Sequence, residues 1–343
     1  MFYAPAAVPD YSALKKCWHP VKYAHQLQER PTRVRLLGHI LVIWRSSDGK
    51  PHAMEDMCIH RGAALSQGTV DGDEILCPYH GWRYGKNGVC TAIPQLEDPT
   101  VVPSKAKVPS YFCQERYGII WVSLEEPRWP LPEIPELEAD DRSLIFTGPY
   151  PWQADSSRQL ENFTDFAHFP WVHPGLLGDP KKTIVPRYSV ETDDRVLRYE
   201  ITRPEAPRNE EFPVFFNEQQ SGERHSQYQL YLPYTIVMRQ DWGGSEQMIH
   251  LFCSQPVDNN MSIGYSVIGR NYYHDQDPEI MKRFEDTAFN QDKEIVELQR
   301  PEFVPFDLAD ELHMRFDAVA VSYRKAMRDQ GLAKRVDAQP VAG

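Results

Sequence analysis

Cys58-Ile59-His60 and, sixteen residues further on, Cys77-Pro78-Tyr79-His80 decide how this chain is read. The two short runs supply two thiolates and two imidazoles in a C-x-H…C-x-x-H order. That donor set suits a [2Fe–2S] cluster in which two His replace two Cys on one iron and raise its potential. Pro78 rules out regular structure at the second run, and Gly81-Trp82 follows directly, so each pair sits where a chain turns tightly. Tight loops aim backbone N–H groups at sulfur, and such hydrogen bonds tune a cluster's potential. A structural zinc site draws on the same residue types. Zinc knuckles place two to four residues between paired ligands, however, and the single residue between Cys58 and His60 is tighter than that.

The surrounding chain bounds what such a site can serve. At 343 residues, 41% of them hydrophobic and 25% charged, it is long enough for two domains with sizeable cores. The 49 acidic against 37 basic residues leave a net charge of -12, which argues against a general binder of nucleic acid or anionic membrane. Cys17, Cys90, Cys113 and Cys253 show no disulfide-like spacing, so a reducing compartment is expected. Residues 1–10 lack a basic and then apolar leader, and the longest apolar run, Tyr117 to Leu124, is too short to span a bilayer. A cytoplasmic protein is expected.

In chain order, residues 11–30 read as a short helix leading into a loop at Pro20. Val34 to Trp44 is strand-like before the turn Ser46-Ser47-Asp48-Gly49; Lys86-Asn87-Gly88 marks a hairpin, and Arg116 to Leu124 a buried strand. This is the pattern of a small all-β domain. Pro127, Pro130, Pro132 and Pro135 among acidic residues place a boundary there, giving domains 1–128 and 129–343. Beyond it, Asp155 to Phe169 has helical spacing, while 185–203, 225–240, 247–255 and 262–270 read as strands of an antiparallel sheet. Residues 278–300 form the best helix, with Pro278 near its start and Pro301 past its end. Residues 312–330 are a second helical candidate, and the last dozen read as a disordered tail.

A second set of chemistry-bearing residues stands in Glu161-Asn162-Phe163-Thr164-Asp165-Phe166-Ala167-His168-Phe169-Pro170-Trp171-Val172-His173-Pro174-Gly175. Asp165 and His168, three apart, share a face of a helix. His168 and His173 would lie about 140° apart on an unbroken helix, but Pro170 disturbs it and lets the imidazoles converge. Two His call for one carboxylate, since a 2-His-1-carboxylate triad marks non-haem Fe(II) centres with positions open for oxygen. On the helix at 278–300 an apolar stripe runs through Met281, Phe284, Ala288, Phe289, Ile295 and Val296, and Asp292 lies on it. A buried carboxylate needs a partner, and iron would supply one; Glu285, near the same face, is the runner-up. Phe163, Phe169, Phe289, Tyr228 and Tyr231 either line a pocket for a flat ring or are plain core.

With both motifs in place, the chain resembles the oxygenase (α) subunits of the Rieske non-haem iron oxygenases over nearly its whole length. Residues 161–175 and Val321-Ser322-Tyr323-Arg324-Lys325 are most similar to the bacterial methylxanthine N-demethylases. The resemblance implies an α+β protein: an all-β Rieske domain, then a helix-grip catalytic domain with an antiparallel sheet on a long helix. It implies that Cys58, His60, Cys77 and His80 bind the cluster and that His168, His173 and Asp292 bind iron. It further implies that Asp165 bridges an iron-ligand His to a cluster His of the neighbouring subunit in a head-to-tail homotrimer. No G-x-G-x-x-G occurs on a strand–turn–helix unit, so a separate flavin/iron–sulfur reductase, with or without a ferredoxin, is expected to bring electrons from NAD(P)H. The expected reaction is O₂-dependent N- or O-demethylation of a small aromatic or heteroaromatic molecule with release of formaldehyde. Ring hydroxylation is the alternative, and an electron-transfer protein without oxygenase activity would need only the first domain.

Overall fold

The computed structural model describes residues 7–204, 212, 223–241 and 245–335. The chain forms two units, Leu14–Leu131 and a second made of Met1–Ala13 with Pro132–Gly343. The second unit therefore draws on both ends of the sequence. Its strand β1 (Ala7–Pro9) precedes the one-turn α1 (Tyr11–Leu14), which carries the chain into the first unit.

The Leu14–Leu131 unit is all-β apart from short turns. Its larger sheet runs in the order β2 (His19–Tyr23), β11 (Ile119–Ser123), β10 (Ser110–Arg116), β5 (Pro51–Glu55), β4 (His39–Arg45), β3 (Thr32–Leu36). The expected helix-and-loop over 11–30 shrinks to α1, and Pro20 lies inside β2. It stands at a register shift against β11, the kind of irregularity that accommodates a residue without an N–H. A smaller sheet joins β6 (Thr69–Asp71), β7 (Glu74–Leu76), β8 (Arg83–Gly85) and β9 (Cys90–Ala92). Val42, Trp44, Leu65, Ile75 and Tyr84 are buried together with Cys58 and Cys77, so the two cysteines are set in the apolar core that the strands build.

The second unit is organised on one seven-stranded antiparallel sheet. Its order is β12 (Ser143–Trp152), β18 (Met261–Arg270), β17 (Gln247–Asp258), β16 (Thr235–Asp241), β15 (Glu223–Tyr231), β14 (Val196–Pro204), β13 (Val190–Asp193). Two of the expected strands are hairpins: 185–203 turns at Asp194, in the left-handed region, and 225–240 turns between Tyr231 and Thr235. Strand β12 has no counterpart in the sequence reading because Pro149 and Pro151 fall within it. It is an edge strand, where a missing N–H is tolerated.

Three longer helices belong to this unit. α2 (Ser156–Thr164) is N-capped by Asp155, which accepts from Ser157 N at 2.8 Å. α4 (Pro278–Val296) begins with Asp277 accepting from Glu279 N, and it buries Met281, Phe284, Ala288, Phe289 and Val296 along with Glu285 and Asp292. Ile295, expected on that stripe, is half exposed near the helix end. The ring of Phe289 stacks on Tyr150 at 4.1 Å, fixing α4 against β12. α5 (Ala318–Asp329) is followed by β19 (Ala333–Arg335), which pairs with β1. The disordered tail expected at the C-terminus lies largely outside the described residues.

Arg324 ties α5 to α2. Its buried guanidinium makes a two-bond fork with Glu161 at 2.9 and 2.6 Å and a further bond to Glu311 at 2.6 Å. Arg324→Met should destabilise the catalytic unit by about 3 kcal/mol, because Glu161 is left largely buried with only the longer contact to Arg158, at 3.9 Å, as counter-charge. Denaturant unfolding would register it; a midpoint within error of wild type would show that the pair contributes nothing.

Two candidate metal centres

Each cluster loop repeats one backbone plan. Cys58 N donates to Ala63 O and Gly62 N back to Cys58 O; likewise Cys77 N donates to Trp82 O and Gly81 N to Cys77 O. Gly62 and Gly81 both have φ +71, a conformation glycine adopts without strain. The two turns bring the four named side chains together. The His60 and His80 rings are 4.6 Å apart, and His60 stacks on Trp82. Cys58 and Cys77 interact through their side chains. Burial raises the Cys77 thiol above its ordinary range, while the N–H groups of Tyr79 and His80 pull it back down, as the tight turn led one to expect. The Tyr84 hydroxyl lies 3.0 Å from Cys58 Sγ. Nδ1 of His60 is buried without a hydrogen-bond partner. Two thiols and two imidazoles turned into one core, one of them with an orphaned ring nitrogen, fit a [2Fe–2S] cluster.

The second centre departs from the sequence reading in how it is built. α2 stops at Thr164; Asp165 caps its end in an extended conformation, so Asp165 and His168 do not share a helix face. A turn brings them together instead. Asp165 Oδ1 accepts from Ala167 N at 2.7 Å, and Oδ2 accepts from His168 Nδ1 at 3.3 Å. The one-turn α3 (Phe169–Val172) then has His168 as its N-cap and His173 as its C-cap, with Pro170 in its first turn. The two imidazoles flank a single turn, and their Nε2 atoms lie 3.3 and 2.9 Å from Asp292 Oδ1. All three ligand-type atoms fall within 4.8 Å of one another.

Hydrogen bonds at the far side of each ring set the tautomers. His168 Nδ1–H donates to Asp165, and His173 Nδ1–H to Gln291 Oε1 at 2.7 Å. Each Nε2 is thereby turned towards Asp292, the side on which a metal would be ligated, and both atoms are buried. Without a metal, burial opposes protonation of His168, but its bonds to Asp165 and Asp292 outweigh this and raise it to about 9. Burial likewise works to raise Asp292, and the two imidazoles nevertheless hold it down to about 2. Three converging donors of this kind fit a divalent iron.

Sequence reasoning missed two residues. Asn162 donates to Asp292 Oδ1 at 3.2 Å, and Gln291 orients His173. Asn162 was legible only as part of a quoted motif, and an amide beside an aspartate on a helix carries no signal of its own. Glu285, the runner-up carboxylate, is not with the histidines of this centre; it faces His250 and Ser266. An aromatic cavity opens on the centre. Phe163, Phe169, Phe289 and Tyr228 line it together with His168 and Asp292. Tyr231 does not, its hydroxyl donating to Gln229.

The Rieske [2Fe-2S] domain family matches residues 17–111, and the vanillate O-demethylase oxygenase C-terminal domain matches residues 152–333. The chain belongs to the Rieske non-haem iron oxygenases, enzymes that carry this cluster and a mononuclear iron. Within them it is similar to the methylxanthine N1-demethylase NdmA of Pseudomonas putida, at 34% identity covering 92% of this chain and 89% of NdmA. To the N3-demethylase NdmB of the same organism it is 30% identical, over 94% and 91% of the two chains. The solved structure of Pseudomonas putida CBB5 NdmA with caffeine superposes with a TM-score of 0.82 at 29% identity, covering 96% and 98% of the chains. The α+β architecture expected from the sequence, a small β domain and a sheet-rich catalytic domain with a long helix, is the one found.

Proposed function

We propose that this oxygenase removes a methyl group oxidatively from a nitrogen of a small heteroaromatic molecule and releases it as formaldehyde. The observation that carries this is the likeness, across nine-tenths of each chain, to two enzymes that N-demethylate methylxanthines. The aromatic cavity beside His168 and Asp292 suits a flat ring. Cys58, His60, Cys77 and His80 would hold the cluster, and His168, His173 and Asp292 the iron. When bound, these groups supply single electrons and activate O₂ for insertion into a C–H bond.

The chain's own residues do the rest. Asp165 and Gln291 each hold a proton on Nδ1 of an imidazole, keeping Nε2 free to ligate. Phe163 and Phe289 exclude water and present the flat faces against which a ring can lie. Orientation in that cavity decides which C–H bond is nearest to the centre. An N-methyl carbon, once hydroxylated, is a hemiaminal that expels formaldehyde unaided; an O-methyl carbon gives a hemiacetal with the same outcome.

Electrons are proposed to come from NAD(P)H through a separate flavin/iron–sulfur reductase, directly or by way of a ferredoxin. A head-to-tail homotrimer is proposed as the assembly, with Asp165 bridging His168 to a cluster His of the next subunit. The Asp165 side chain is about two-fifths exposed, and exposed Ile295 and Leu312 line the same surface depression. On the cluster unit, Met57, Ile59 and Tyr79 are exposed around the ligand loops. No disulfide joins any of the six cysteines, and among the described residues no helix is long and apolar enough to cross a membrane; a cytoplasmic setting accords with both.

With a generic reductase and N-methylated heteroaromatics, the expected result is about one formaldehyde per O₂ consumed. The demethylated partners should give none. Ring-hydroxylated or cis-diol products without formaldehyde across such a panel would replace demethylation by ring hydroxylation.

A further inference from the structure

The cluster unit and the rest of the chain differ in the sign of their charge. Leu14–Leu131 holds 15 Lys and Arg against 12 Asp and Glu, whereas the whole sequence holds 37 against 49. The acidic surplus outside the cluster unit repels an acidic protein, and the basic unit is where such a protein is steered. Two of the positive side chains stand next to the cluster core. β3 is an edge strand of the larger sheet, and Arg33 and Arg35 are both exposed on it. Being two apart, they share one face of the strand. Register identifies that face: Arg33 lies opposite Val42 on β4, and Val42 opposite Met54 on β5. Val42 and Met54 are buried in the core that holds Cys58 and Cys77. The edge is thus two strand spacings, about 10 Å, from the strand that leads into the first cluster loop.

Hydrogen bonds tie this edge to that loop. Arg33 Nε donates to Asp56 Oδ2 at 2.6 Å, and the buried carboxylate accepts from Ser66 N at 2.6 Å and from the Ser66 hydroxyl at 2.7 Å. Asp56 and Ser66 bracket Cys58 and His60, so one carboxylate joins β3 to both ends of the ligand loop. Apolar surface completes the patch. Ile40, opposite Arg35, is 45% exposed, and Met57, next after Asp56, is 52% exposed. Apolar side chains among charged ones, at this closeness to a redox centre, have the make-up of a protein docking site.

We propose that Arg33, Arg35, Ile40 and Met57 form the face on which an acidic electron-donor protein docks to reduce the cluster. This rests on the reading that a separate protein supplies the electrons, and it adds where that protein binds and what charge it carries. One electron leaves the donor's reduced iron–sulfur centre and enters the oxidised cluster, with no bond made or broken. The His60 and His80 rings, with exposed Ile59 and Tyr79 next to them in the chain, are left for passing the electron on. Charged residues on an edge strand also discourage pairing between copies. Either sign meets that need, so it is the positive sign that marks the partner.

The test uses the holoenzyme and reduced plant-type [2Fe–2S] ferredoxin, an acidic donor whose potential lies below the Rieske range. Stopped-flow absorbance follows cluster reduction at about 20 mM and about 500 mM salt, where exposed charges are respectively felt and screened. Arg35→Glu keeps a charge on the edge strand and leaves the Arg33–Asp56 pair in place. It should slow reduction by ferredoxin about 10-fold at low salt and hardly at all at high salt. Lys16→Glu makes the same change of charge just before β2, at the opposite edge of the sheet, and should slow it about 2-fold or less. Photoreduced 5-deazariboflavin, small and uncharged, should reduce all three proteins at one rate, which shows fold and cluster to be intact. No loss in Arg35→Glu, an equal loss in Lys16→Glu, or a loss that persists at high salt would each overturn the assignment. So would dissociation of the Arg35→Glu protein on size-exclusion chromatography, which would give the face to a second copy of this chain. Reduction of the wild-type cluster by NADH alone would instead sink the separate-donor reading, whatever the variants do.

Discussion

A His168→Ala enzyme is expected to keep the visible absorption of its cluster while losing its mononuclear iron and its turnover. His168 Nε2 is one of three donor atoms gathered within 4.8 Å. Removing even an orienting partner of a metal-bound His costs about 10–100-fold in affinity or activity, and losing the ligand itself should exceed that. Cys58→Ala should do the reverse to the colour, since a thiolate buried in the cluster core is gone. Iron content and the absorption spectrum check both variants: about three irons per chain in the wild type, about two with His168→Ala. Bleaching by His168→Ala would mean that the two centres are not separable and that the assignment of one of them is wrong.

Asp165→Asn should leave both metals in place and slow turnover by about 100-fold or more. The substitution keeps size and shape but removes the charge that His168 Nδ1–H addresses at 3.3 Å. An orienting carboxylate of this kind is worth about 10–100-fold, and a second duty across a subunit interface would add to the loss. Stopped-flow reoxidation of the reduced cluster in the presence of O₂ and substrate isolates the step. Reoxidation at the wild-type rate, with iron and cluster intact, would rule out a bridging role.

What the sequence made legible followed from short-range chemistry. The spacings Cys58-x-His60 and Cys77-x-x-His80 name four donors without reference to anything distant. The stripe on α4 that buries Met281, Phe284, Ala288 and Phe289 also buries Asp292, so periodicity alone pointed to it. Less legible was the path of the backbone. The α2 break comes at Asp165, five residues before the proline that drew attention, because the carboxylate folds back to accept from Ala167 N. Gln291 and Asn162 escaped notice because an amide is informative only once its partner is located. The hairpin turn at Asp194 and the strand holding Pro149 and Pro151 were hidden for related reasons. A non-glycine residue in the left-handed region and prolines at a sheet edge are both decided by tertiary context, which local propensity does not contain.

The pairing of β1 with β19 also bears on how the protein is made. Ala7–Pro9 are made long before their partners Ala333–Arg335, and the whole Leu14–Leu131 unit is made in between. The pairing of β1 therefore cannot form until Ala333–Arg335 have been made. The Leu14–Leu131 unit has all its residues well before then, by about 10–40 s at ordinary elongation rates of about 5–20 residues per second. All four cluster-type ligands are thus in place within a complete unit before Asp292, the last of the iron-type ligands, has been made.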